Sequence, residues 1–462
     1  MENKVFSEVA AYLKNAIKNS RFDGHVCLVG GCVRDSIMNR EIHDFDVVVD
    51  LQNGGIVFAN WLALADKNFV ATKNPTVYGQ KQCALYKFNL NGKEISLECC
   101  QARLRPVKVD VTLPINVRDP NLGTFASDAV LRDATINSIY LNVSTGAIYD
   151  PNDGMSDIKS EMLRCPNEPS VIFKDDPLRM MRLIRFSSVL HFNIDKKTWL
   201  GILENHELIK TVAVERIADE FNKILLSTEP SVGLKRLMAS GLLFDIFPQL
   251  YEMNHVGDGY NIKMPYNVWE NALYAVDCAE EKLPNRLASL FCQIGKTKKY
   301  KVTNHFIFNG FEKESESITK DVLKKYKYSN DTIDKVCAAI SCFNKFSGLA
   351  PHEEPKDKTI RKFISETSTN LPLVMDVMKS FAFASNNTFL VEKYYMIEEL
   401  VENFKDNSFV LPINGSELMK KFALKPGKKI GSLLNLIKEK MFENPTMTKE
   451  EAFGIAEEHI KE

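Results

Sequence analysis

No run of eighteen apolar residues occurs in the 462-residue chain, which argues against a hydrophobic membrane-spanning helix. The first residues lack the basic start, apolar centre and cleavage site of a secretory leader. They read instead as an amphipathic helix from Val5 to Ile17, with Glu8 and Lys14 interspersed. Charge of one sign is also missing: 59 Lys and Arg against 60 Asp and Glu leave a formal net charge of −1. That excludes a chain coated in basic charge, so any nucleic-acid site has to be a local patch. The ten cysteines form no CxxC pair and no Cys/His cluster at zinc spacing, so no zinc module is expected. Reduced thiols in the cytoplasm are the simple expectation. Internal repeats and low-complexity tracts are absent.

What is present divides the chain in two. Val26–Val29 is a short apolar strand ending in Gly30-Gly31, followed by a helix from about Val33 to Met38 and a strand at Asp46–Val49. Cys83–Leu90 and Glu94–Glu98 form an expected hairpin around Asn91-Gly92, a strong turn signal. Thr135–Tyr140 and Ala147–Tyr149 are further expected strands. Beyond about residue 170 apolar periods near 3.6 dominate. Seams are expected near Ser227–Ser231, Lys345–Pro355 and Asp406–Pro412. The class implied is α+β, a mixed-sheet head followed by helices.

Asp44 and Asp46 stand two apart at the start of an apolar strand, so their side chains share a face. Two carboxylates held together repel unless a cation neutralises them. Mg2+ suits the task, because it takes oxygen ligands and leaves room for substrate phosphates. Such ions activate an attacking hydroxyl and stabilise departing pyrophosphate. A bare DxD is often only a polar strand end. Here Gly30-Gly31 precedes it between a strand and a helix, where backbone approaches a triphosphate and helix-start N–H groups face it. Arg34, on the first turn, is a candidate for the phosphate oxygens.

These segments, Gly30-Gly31-Cys32-Val33-Arg34-Asp35 followed by Asp44-Phe45-Asp46, resemble the signature of polymerase-β-like nucleotidyltransferases. More narrowly they resemble the class II, bacterial-type, tRNA CCA-adding enzymes and poly(A) polymerases. Leu131 to Asn137 is similar to that family's arginine-aspartate-x-threonine-x-asparagine motif, and Tyr149-Asp150-Pro151 through Asp157 to its aspartate-proline-glycine segment. Lys174 through Phe186 resembles its nucleotide-selecting motif. The resemblance implies addition of CCA to tRNA from CTP and ATP, with Mg2+. It assigns Arg132, Asp133 and Asn137 to ribose, triphosphate and pocket bracing. A poly(A) polymerase is the nearest alternative, and a noncatalytic RNA-binding protein the alternative of another class.

Asp175-Asp176-Pro177 reads first as a helix start. Asp176 and Arg179, three apart, are also neighbours on a helix face. A carboxylate accepts and a guanidinium donates, which matches the amino group and ring nitrogen that adenine and cytosine present. Guanine and uracil reverse that pattern, and a buried polar mismatch costs about 1–3 kcal/mol per group. The resemblance implies the same base-testing role. Arg182 and Arg185 either bind phosphate or brace the helix. Val214 to Ile217 and Glu220 resemble the family's last motif, which stabilises a neck helix.

The resemblance also implies a mobile loop between Glu98 and Arg132, where Gln101 falls near an expected arginine and Arg103 or Arg105 is a substitute. It implies four segments: a head at 1–165, a base-recognising neck at 166–230, an HD-like helical body at 231–350 and a tRNA-binding tail at 351–462. In the body the expected metal ligands are replaced by Asn271, Cys292, Gln293 and Phe311, so a scaffold without metal or phosphohydrolase activity is expected. Asn414 to Leu418 and Lys425 to Gly431 resemble a helix-turn-helix segment. Residues 411–441 carry seven Lys and two Glu, a local positive excess suited to tRNA phosphates or to a solvated face. Oligomeric state is not legible.

Overall fold

The computed structural model describes residues 3–65, 74–78, 83–104, 122–257, 267–303, 308, 310–349, 355–385, 387–404 and 411–461. Residues 105–121 of the expected loop between Glu98 and Arg132, Arg105 among them, and residues 350–354 and 406–410 of the expected seams lie outside these residues. The chain folds as two units, residues 1–216 with 239–245, and residues 217–238 with 246–462. No described helix is long and apolar enough to cross a membrane.

The first unit begins with helix α1 (Lys4–Ile17), capped by the Asn3 side chain, which accepts from the Phe6 N–H. Its buried residues Phe6, Val9, Leu13 and Ile17 fall on one stripe. Strand β1 (Val26–Val29) leads through Gly30 into α2 (Gly31–Ile37), and β2 (Asp44–Val49) into α3 (Gly54–Ala65). Strands β3 (Thr76–Tyr78), β4 (Cys83–Leu90) and β5 (Lys93–Gln101) precede α4 (Phe125–Ala129), β6 (Tyr140–Asn142) and β7 (Ile148–Tyr149). The seven strands form one sheet in the order β3-β4-β5-β2-β1-β6-β7. β2 and β5 run parallel, and every other neighbouring pair is antiparallel.

Period-two alternation decides what this sheet offers. Phe45, Val47 and Val49 of β2 and Ile95, Leu97 and Cys99 of β5 join α1 and α3 in the main core. Asp44, Asp46, Glu98 and Cys100 therefore point to the opposite face.

The expected strand at Thr135–Tyr140 is corrected. Thr135–Asn137 is a 3-10 turn, and the strand starts at Tyr140. The Asn137 N–H donates to the Ala134 carbonyl and its side-chain amide to Asp133. Local hydrogen bonds thus outcompete a ladder. Helix α2 likewise starts two residues earlier than expected. Helices α5 (Gly154–Lys159), α6 (Pro169–Asp175), α7 (Leu178–Leu190) and α8 (Lys196–Asn205) follow, and α9 (Val214–Leu225) crosses from the first unit into the second.

Among its described residues the second unit is built from helices, with one isolated antiparallel bridge between Gly257 and Asn267. Helices Val268–Cys278, Leu283–Phe291 and Leu371–Ala384 pack on one another. Helices Gly415–Phe422, Lys428–Met441 and Lys449–Lys461 build a separate small core around Leu418, Leu433, Ile437 and Ala452.

Candidate active site

Gly30 holds φ +77° and ψ −140°, a conformation side-chain-bearing residues rarely adopt. A Cβ there would meet Asp46 Oδ2 at 2.8 Å and Arg132 Nη1 at 3.6 Å. The bare glycine thus opens space beside the carboxylate and the guanidinium. Gly31 is less constrained, since its nearest obstacle would be Arg34 Nη2 at 3.7 Å.

Asp46 pairs in register with Val29 of β1 on one side and Glu98 of β5 on the other, and Asp44 pairs with Ser96. Burial pushes the Asp46 carboxyl up to about 6, against Arg132 and Arg182 and with the help of Glu98 and Asp44. Three acids thus share one sheet face, and burial more than the neighbouring charges raises Asp46 there. Glu98 has no local motif to mark it. The Cys99-Cys100 pair beside it gives no sign, and only the parallel β2–β5 register places it opposite Asp46. Hard carboxylate oxygens beside a cradle that a Cβ would fill fit a hard divalent cation and a phosphate chain.

A hydrogen-bonded relay braces this spot. Arg34 donates from Nε and Nη2 to both oxygens of Asp35, at 2.9 and 2.7 Å, and from Nη1 to Asn137 Oδ1 at 2.8 Å. Asn137 donates to Asp133 Oδ1 at 3.0 Å, and Arg182 Nε to Asp133 Oδ2 at 2.7 Å. Arg34 is buried, so its donors serve this relay. Burial raises the Asp133 carboxyl, but Arg182 and Asn137 overcome it and hold it well below the usual range. Arg34, Arg182 and Arg185 all lie against the Phe186 ring, at 5.4, 5.5 and 4.3 Å from its centroid.

Arg132 is fixed by Asp128, another residue that no sequence motif points to. Asp128, 1% exposed, accepts from Arg132 Nε and Arg103 Nε at 3.0 Å each and from the Tyr140 hydroxyl at 2.8 Å. Arg103, one of the two expected substitutes, thus has a partner in Asp128, while Gln101 is buried and accepts from the Asn53 N–H at 2.6 Å.

The expectation that Asp176 and Arg179 share one helix face is corrected: Asp176 is extended backbone between α6 and α7, Arg179 lies in the first turn of α7, and each has partners of its own. Asp176 Oδ1 accepts from the Leu178 N–H at 3.2 Å, as a helix-start carboxylate does, and Oδ2 accepts from Arg216 at 2.7 Å. Arg179 is buried, pairs with Asp175 at 2.9 Å and donates to the Ile172 carbonyl at 3.2 Å.

Known proteins share this plan. The family model described as "Poly A polymerase head domain" matches residues 26–164, "Probable RNA and SrmB- binding site of polymerase A" matches 191–253, and a tRNA nucleotidyltransferase domain 2 matches 311–454. The mitochondrial CCA tRNA nucleotidyltransferase of Candida glabrata is 25% identical, over 93% of this chain and 89% of its own. The CCA-adding enzyme of Limosilactobacillus reuteri is 28% identical, over 88% of this chain and 85% of its own. The crystal structure of the Bacillus stearothermophilus CCA-adding enzyme in complex with CTP superposes with a TM-score of 0.66 at 19% identity, covering 100% of this chain and 99% of that one.

Proposed function

Because the chain belongs to the family of CCA-adding enzymes and poly(A) polymerases, we propose that it extends the 3′ end of tRNA with CCA, taking CTP and ATP as substrates. It is an enzyme, a nucleotidyltransferase. The observation that carries the assignment of its site is the row of Asp44, Asp46 and Glu98 on one sheet face beside Gly30.

In this reading Gly30 and Gly31 admit the triphosphate and Arg132 faces its charge. Asp44 and Asp46, with Glu98 as a third carboxylate, hold the metal, which we take to be Mg2+. Once bound, that metal supplies Lewis-acid activation of the attacking hydroxyl and charge neutralisation on the leaving group. The tRNA 3′-oxygen bonds to the α-phosphorus, the bond to the β-phosphate oxygen breaks, pyrophosphate departs, and the hydroxyl proton passes to solvent. Asp133, Asn137 and Arg34 keep the berth in shape. Asp176 and Arg179 test the base edge, with Arg216 and Asp175 as positioning residues. Arg182 holds Asp133, and Arg185 braces Phe186.

The four-segment division into head, neck, HD-like body and tail belongs to the same reading. So does a body without metal. Lys296, fully buried, donates to Gln293 at 3.0 Å and lies 5.3 Å from the centroids of Phe308 and Phe311. An ammonium beside two of the replaced ligand positions repels a metal cation. Cytoplasmic placement rests on cysteine usage.

The test is incubation with Mg2+ and tRNA lacking CCA, or unstructured RNA, with each NTP alone and combined. Addition of CCA that then stops is expected. A long A tail assigns the poly(A) reading, and no incorporation refutes both. Asp46→Asn should lower turnover about 10²–10³-fold or more.

A further inference from the structure

Cys83 and Cys100 stand directly opposite one another on β4 and β5. Glu98 precedes Cys100 by two residues and shares its face. One ligand atom from each, two sulfurs and a carboxylate oxygen, lie within 4.8 Å of one another. A single ion spans such a triad: bonds of about 2.3 Å to sulfur and about 2.0–2.2 Å to oxygen set tetrahedral ligand atoms under ~4 Å apart. Cys99, between them in sequence, points the other way into the apolar core. The cysteine spacing hid this group, because pairing of the two strands assembles it.

Its chemistry differs from that of the neighbouring acids. Thiolates select zinc-class ions, whereas carboxylates alone suit Mg2+. Glu98 belongs to both sets, since the β2–β5 register puts it opposite Asp46. Cys83 is buried and Glu98 exposed, so an ion reaches the triad from the side that carries the acids.

We propose that Cys83, Glu98 and Cys100 bind one zinc-class divalent ion, and that this binding withdraws Glu98 from the row of Asp44 and Asp46 and inhibits nucleotide transfer. The ion forms two bonds to sulfur and one to carboxylate oxygen, two thiol protons leave to solvent, no electrons move, and water completes the coordination. Binding stands on the triad alone, whereas inhibition rests on the proposed catalytic role of the acids.

The full chain, kept reduced by a non-thiol reductant, is titrated with Co2+ as a spectroscopic stand-in for zinc. A thiolate-to-cobalt charge-transfer band that saturates at one equivalent is expected, displaced by one equivalent of Zn2+ and weakened but not abolished by Mg2+, which competes for Glu98. The band should vanish in the Cys83→Ser/Cys100→Ser double variant, and Glu98→Gln should weaken binding about tenfold or more. Without zinc, Mg2+-supported transfer by the double variant should match wild type. Zinc should inhibit wild type and spare the variant. Cobalt bound to wild type without the band overturns the site, whether or not the variant folds, and a band that persists in the folded variant does the same. A band without zinc inhibition overturns the sharing of Glu98. Failure of wild type to transfer with Mg2+ alone counts against the catalytic reading and leaves the triad standing.

Discussion

A single backbone angle carries much of the berth. Gly30, at φ +77°, leaves unfilled the space where a Cβ would press on Asp46 Oδ2 at 2.8 Å. Gly30→Ala combines a left-handed strain of about 1–3 kcal/mol with displacement of the carboxylate, and a misplacement of about 1 Å costs on the order of 10²-fold in rate. Gly31→Ala meets nothing nearer than 3.7 Å and has ordinary helical geometry. The first variant should therefore melt earlier and lose about two orders of magnitude in turnover, while the second keeps its Tm. Paired melting curves and single-nucleotide incorporation rates decide, and equal behaviour of the two alanines would contradict the berth.

Elements decide what no residue pattern states. The DxD spacing and Gly-Gly turn were legible, because each is local: an alternation along one strand and a strand-to-helix junction. Glu98 and Asp128 were not, since their meaning comes from strand pairing and from arginines distant in sequence. The 3-10 turn at Thr135–Asn137 misled for a related reason: an apolar–polar alternation that looks like a strand is here spent on side-chain hydrogen bonds. Asp128 offers a test at this scale, because it ties α4 to Arg103 and to Arg132. Burial raises its carboxyl, yet Arg132 and Arg103 hold it well below the usual range. Its unfolded form binds a proton more readily than its folded form, so its contribution is complete above the unfolded value of 3.8 and is lost as pH falls below it. Asp128→Asn leaves two guanidinium groups without their partner and should cost about 3–5 kcal/mol near neutral pH. The Tm gap to wild type should shrink as pH drops from 4 toward 2, and a gap independent of pH would refute the linkage. The start of α7 gives another test. Arg216→Ala frees Asp176 from its partner at 2.7 Å, and discrimination of CTP against UTP, read as the ratio of kcat/KM values, should fall about tenfold for a loss near 1.4 kcal/mol.

Across the whole molecule, charge balance conceals a local excess. The chain nets −1, yet Lys420, Lys421, Lys425, Lys428 and Lys429 are all exposed around the turn between helices Gly415–Phe422 and Lys428–Met441. Lys421 lies over the Phe453 ring, 4.3 Å from its centroid. The helices beneath have a core of their own, and the Asn414–Glu417 capping box fixes the first of them, so the lysines stand on a defined surface. If this surface takes tRNA phosphates, each lost contact removes one released counterion and flattens the slope of log K against log salt by about 0.9 for a duplex. Charge reversal at Lys425, Lys428 and Lys429 should therefore weaken tRNA binding, reduce the salt slope by about 2–3, and leave kcat at saturating tRNA unchanged, since the acids of the first unit are untouched. Binding isotherms at several salt concentrations measure the slope. An unchanged slope would mean the lysines form only a solvated face, and a fall in kcat with unchanged affinity would point to a role other than phosphate binding.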